Sequence, residues 1–104
     1  MKTLFQKIID KEEPADFLYE DQDFIIINDK YPKAPIHYLI IPKKPITSIS
    51  EITEDDKEVL GNLLLLARKF ARQKGIVDYK LVFNCGRHLH IPHLHLHFLA
   101  GDID

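Results

Sequence analysis

Cysteine is almost missing from this sequence. Only one of 104 residues, Cys85, is a cysteine, so no intrachain disulfide can form and no Cys-x-x-Cys pair is there to hold a metal or run redox chemistry. No apolar run approaches the roughly 20 residues that span a bilayer, and the first ten residues lack the continuous apolar core of a secretory leader. These absences predict a cytoplasmic protein. Charge of one sign is also lacking: 14 basic against 16 acidic residues leave a formal net charge of −2. That balance excludes a surface built to coat a nucleic acid polymer or an anionic membrane, and leaves room for local binding of one nucleotide. Internal repeats and low-complexity segments are absent too. The length and the 45% hydrophobic content predict a single domain over residues 1–104, small enough for self-association to add usefully to its buried surface.

What the sequence does contain is concentrated near its end, in His93-Leu94-His95-Leu96-His97-Phe98-Leu99. In an extended strand successive side chains point to opposite faces, so three imidazoles would line one face at intervals of about 7 Å while the apolar residues enter the core. A lone strand histidine is ordinarily a half-exposed residue. Three in strict alternation crowd together imidazoles that need something anionic or metallic among them.

Upstream, Leu4, Phe5, Ile8 and Ile9 recur at helical spacing and predict a short opening helix, limited by Pro14. Phe17-Leu18-Tyr19 and Asp23 to Ile27 read as two strands joined by the turn residues Glu20-Asp21-Gln22. A third strand, His37 to Ile41, is stopped by Pro42 and Pro45. The long helix starts near Thr53, whose hydroxyl caps a first turn rich in Glu54, Asp55 and Asp56, and ends at Gly75. Its apolar stripe is Val59, Leu60, Leu63, Leu64, Ala67, Phe70 and Ala71; Leu65 and Leu66 widen it enough to meet a partner subunit. Tyr79 to Asn84 and His93 to Leu99 are the fourth and fifth strands, separated by the loop from Cys85 to Pro92. Hairpin-length links and one long helix predict an α+β domain with a mainly antiparallel five-stranded sheet.

An unprotonated imidazole attacks phosphorus or a carbonyl to give a labile adduct that water removes, which suits phosphoryl or nucleotidyl transfer. Such a nucleophile needs one ring nitrogen free and the other N–H held by an acceptor; a backbone carbonyl can serve. His95 is the residue flanked on both sides. Zinc ligation by His93, His95 and His97 is the rival use of the same spacing. His37 and Asn84 can reach the same face, and Asp29 offers a carboxylate suited to a sugar diol or simply to a turn.

These residues together resemble the histidine triad family, whose signature is His-x-His-x-His followed by two apolar positions. Phe5-x-x-Ile8-Ile9, Glu20-Asp21, Asp29-x-x-Pro32-x-Ala34-Pro35-x-His37 and Ile41-Pro42-Lys43-Lys44 resemble further landmarks of its nucleotide-binding, purine nucleoside phosphoramidase-like branch. The resemblance implies a homodimer in which two five-stranded sheets continue as one, and hydrolysis or transfer at the α-phosphate of a purine nucleotide or nucleoside phosphoramidate through a nucleotidyl-histidine. His95 is then the nucleophile, His97 and His37 contact the phosphate, and His93 orients the site. Asn84 sits on the phosphate side, Asp29 at the ribose, and Phe5, Ile8, Ile27 and Leu39 in the purine pocket. No cofactor is implied. Thr3, Gln6 and Pro45 replace three ligands of the structural zinc that some relatives carry. The loop before the triad is about two residues shorter than in that branch, with Leu89 and His90 where a Gln-Ser pair is usual. We therefore assign His90 as a substitute leaving-group acid and Arg87 as an added anion contact. Glu13 and Lys30 stand where apolar residues usually flank the base. A non-catalytic nucleotide-binding dimer and a metal-dependent hydrolase are the alternatives.

Overall fold

The computed structural model describes residues 1–102. Five antiparallel strands, β1 (Phe17–Glu20), β2 (Phe24–Asn28), β3 (Ile36–Pro42), β4 (Tyr79–Val82) and β5 (Leu96–Ala100), lie in the order β1-β2-β3-β5-β4. Strand alternation gives this sheet two different faces. Phe24, Ile26, Ile40, Leu96, Phe98 and Ala100 pack beneath the long helix α2 (Lys57–Gln73), which contributes Leu63, Ala67, Phe70 and Ala71. Phe98 is fully buried, stacks on Tyr79 at 4.6 Å between ring centres, and truncating it to alanine would cost about 3–5 kcal/mol. On the opposite face, Ile25, Ile27, Leu39 and Ile41 are covered by Phe5 and Ile8 of the short helix α1 (Leu4–Ile9), capped by the Thr3 hydroxyl.

The helices depart from expectation in detail. The chain enters α2 through a 3₁₀ turn, Glu54–Asp56, so the α-helix begins at Lys57. A capping box explains the turn: the Thr53 hydroxyl accepts the Asp55 N–H, and the Asp56 carboxylate accepts the Thr53 N–H at 2.9 Å. Leu64 belongs to the exposed side, at 47% accessibility, rather than to the buried stripe; of the two residues that widen the stripe, Leu66 packs on the core and Leu65 stays outside at 55%. No helix among the described residues is long and apolar enough to cross a membrane.

Two strands are shorter than the apolar pattern predicts. β4 ends at Val82, not Asn84. β5 begins at Leu96, so His93 and His95 precede the strand rather than belong to it. The β3–β5 register runs from Ile36 opposite Ala100 to Ile40 opposite Leu96; carried further, it would set Leu94 against Pro42. Proline has no N–H to extend a ladder, and pairing stops there. Alternation survives the break: Leu94 still enters the α2-side core, and the histidines remain on the α1 side.

Candidate active site

The α1 face of the sheet brings together four buried or half-buried imidazoles, from His37 on β3 and from His93, His95 and His97 around the start of β5. Each ring has a distinct anchor. His93 donates Nε2–H to the carbonyl of Pro42 at 2.8 Å, the group left free where the ladder stops. His95 donates Nδ1–H to the carbonyl of His93 at 2.8 Å, which leaves its Nε2 lone pair without a proton. Phe5 meets the His95 ring edge-on at 4.8 Å. His37 Nε2 lies 2.9 Å from His97 Nδ1 and 3.3 Å from the Asp29 carboxylate, and its Nδ1 accepts the backbone N–H of Lys33 at 3.1 Å. Asn84 reaches to 3.2 Å from His97 Nε2.

Burial decides the charge of this cluster. Desolvation pushes the pKa of His93 below the ordinary 6.5, against the opposing pull of the Pro42 carbonyl. It does the same to His95, against the His93 carbonyl. His97 falls to about 4, through burial first and then the neighbouring His95 and His37. His37 is lowered by burial, with Asp29 pulling it upward and Lys33 pushing it down. All four are neutral at physiological pH, and a neutral imidazole with a free nitrogen is a nucleophile.

Of the residues singled out from sequence, His37, Asp29, Asn84, His95 and His97 converge. Phe5, Ile8, Ile27 and Leu39 also meet, as a closed apolar cluster in which each is at most 5% exposed. Arg87 lies on a 3₁₀ turn, Gly86–His88, and His90 two residues beyond; both are exposed, and no hydrogen bond, ion pair or ring contact joins either to the triad among the described residues. Beside His90, Ile91 is half-buried and packs against the α1-side cluster. The rival zinc trio His93, His95 and His97 is not brought together as ligands, because His93 Nε2 is tied to the Pro42 carbonyl. Asp29, His37 and His97 do place donor atoms within 4.8 Å of one another. The Lys33 N–H, however, occupies His37 Nδ1 and so keeps the proton on Nε2, the nitrogen a metal would need. Three anchoring groups escaped the sequence reading: the Pro42 and His93 carbonyls and the Lys33 N–H. They carry no side-chain signature by which a sequence could announce them.

Comparison with known proteins settles the family. The family profile described as "Scavenger mRNA decapping enzyme C-term binding" matches residues 2–104. A HIT-like protein of Synechocystis is 45% identical over 102 residues, covering 95% of this chain and 90% of its own length. This chain belongs to the histidine triad family. A histidine triad (HIT) hydrolase from Legionella pneumophila superposes with a TM-score of 0.93 at 40% identity, covering 98% of this chain and 95% of that one. The purine nucleoside phosphoramidase of Escherichia coli K12 is 36% identical over 104 residues, 96% of this chain and 87% of its own. The five-stranded histidine triad fold therefore extends over nearly the whole sequence.

Proposed function

We propose that this histidine triad protein is a cytoplasmic nucleotide hydrolase that cleaves purine nucleoside phosphoramidates at the α-phosphate. The carrying observation is the His95 ring, whose Nδ1–H is held by the His93 carbonyl while Nε2 stays free. The similarity to the E. coli phosphoramidase supports the substrate class. In the first step His95 Nε2 bonds to phosphorus, the P–N bond breaks, and the amine leaves with a proton from solvent. His97 and Asn84 face the phosphate oxygens with His37 supporting His97 from behind, Asp29 accepts from the ribose hydroxyls, and His93 holds His95 in register through its carbonyl. Water then attacks phosphorus, releasing the nucleoside monophosphate and restoring neutral His95. The reaction needs no metal.

The exposed positions of His90 and Arg87 favour a second reading, a nucleotide-binding protein without turnover. One experiment separates the two: AMP release from adenosine 5′-phosphoramidate by metal-stripped protein, wild type against His95→Ala. Release that drops by more than about a thousandfold in the variant supports the hydrolase. Nucleotide binding without release by wild type supports the second reading, and release by wild type that persists in His95→Ala removes His95 from the chemistry.

A further inference from the structure

Neutral imidazoles in contact must agree on which ring donates. Two arrangements are open to the His37–His97 pair. In the first, His37 Nε2–H donates to His97 Nδ1, and His97 keeps its own proton on Nε2, facing the reaction centre. In the second, His97 Nδ1–H donates to His37 Nε2, and His97 turns a bare lone pair toward the substrate. Substrate phosphate oxygens are acceptors, so only the first arrangement gives them a hydrogen bond.

Two independent contacts select the first. On one side of the His37 ring, the Lys33 backbone N–H points at Nδ1 from 3.1 Å, so Nδ1 must accept. On the other side, Asp29 Oδ2 and His97 Nδ1 both face Nε2, at 3.3 Å and 2.9 Å, so Nε2 must donate. The second arrangement would set an N–H against an N–H at Nδ1 and a lone pair against a carboxylate at Nε2. The first requires only that, in the nucleotide-free protein, Asn84 turn its amide by 180° to offer its oxygen to His97 Nε2–H at 3.2 Å, a rotation that exchanges two groups of nearly equal size, and that a substrate phosphate oxygen then take over that N–H. Asp29 is itself steadied, its Oδ1 accepting the Tyr31 N–H at 2.8 Å and its own N–H reaching the His37 carbonyl at 2.9 Å.

We propose that the Lys33 backbone N–H and the Asp29 carboxylate act as positioning groups that fix the hydrogen-bond direction from His37 to His97, so that His97 meets the phosphate as an Nε2–H donor rather than as a proton source. The assignment deepens the hydrolase reading and gives the 29–35 loop a second task, setting the polarity of the site it borders. His97 then stabilises charge as it develops on the phosphate oxygens without surrendering its proton, which is electrostatic rather than acid catalysis. The titratable groups facing this pair are Asp29 and Lys33 from the loop and His95 from the triad segment; among them burial and the neighbouring imidazoles outweigh Asp29 and hold the His97 pKa down.

Long-range nitrogen-15 to proton correlation spectra of the wild-type protein, free of nucleotide and at neutral pH, read the four tautomers directly. The expected pattern is Nε2-protonated His37, His93 and His97, with His95 alone protonated at Nδ1. A proton on His97 Nδ1, or a cationic His37, overturns the proposal. Lys33→Ala keeps the backbone N–H and should leave the pattern intact, whereas Lys33→Pro removes it and should let His37 Nδ1 take a proton, with a fall in kcat of at least about tenfold. An unchanged His37 tautomer in a folded Lys33→Pro protein shows that Asp29 alone suffices and removes Lys33 from the assignment. Should that variant not fold, the wild-type spectrum still decides the direction. Because the spectra need no turnover, an absent phosphoramidase activity would sink the functional reading and leave this one standing, and the reverse also holds.

Discussion

At the scale of single residues, the chemistry rests on where protons sit. Burial places the His95 pKa below the ordinary 6.5, so acidification to that pH leaves its Nε2 free. The acid limb of kcat/KM, which reports the free protein, is therefore expected below pH 6.5 for His95-dependent turnover, and a pH–rate profile checks it; a limb above 6.5 would mean that His95 is not the titrating nucleophile. The alternation of histidine with leucine made it readable from sequence that these imidazoles would share one face. It could not reveal which nitrogen of each ring is protonated, because that is settled by the Pro42 and His93 carbonyls and by the Lys33 N–H. Every residue has a carbonyl and nearly every one an N–H, so sequence offers no mark by which to pick these three. His90 shows the converse: a residue chosen for its place in a loop turned out to be exposed, because the turn at Gly86–His88 and the inward packing of Ile91 direct the loop otherwise.

Among the elements, one junction borders the site and another holds α2. Gly101, just beyond β5, has φ of 95°, and a Cβ there would lie 2.8 Å from Pro35 at the end of the 29–35 loop. Gly101→Ala should therefore displace the loop that carries Asp29, and the expected outcome is a raised KM for nucleotide together with a lowered Tm, read by steady-state kinetics and thermal melting. Far from the site, Thr53→Ala removes the hydroxyl from the capping box before α2. It should cost about 1 kcal/mol, a fall in Tm of roughly 4–8 °C for a domain of this size, with kcat unchanged. The elements themselves were largely legible, since each strand and helix carries its own period of apolar residues. Their ends were less so: β5 starts at Leu96 because Pro42, on another strand, cannot continue the ladder, and no local pattern within residues 93–99 contains that fact.

Over the whole molecule, the buried histidines tie stability to pH. Their folded pKa values lie below the unfolded value of about 6.5, so as pH falls beneath it the unfolded chain takes up protons that the folded chain refuses. Stability is full well above pH 6.5 and should decline from there toward about 4, the pKa of His97. Urea denaturation at several pH values measures the slope, and replacing His97 with asparagine should flatten it. We also expect a homodimer: β4 is one of the two outer strands of the sheet, and exposed Leu65 and Leu81 lie on α2 and on β4 itself. Sedimentation should show a dimer that Leu65→Lys weakens; a wild-type monomer would refute it. The sequence by itself determined the elements, the two-faced sheet and the residues that line its chemical face, because period and residue type are local properties. Only the tertiary structure decided where β5 begins, that the apolar cluster closes under α1, and which imidazole nitrogens are free, because each depends on a backbone group brought from a distant part of the chain.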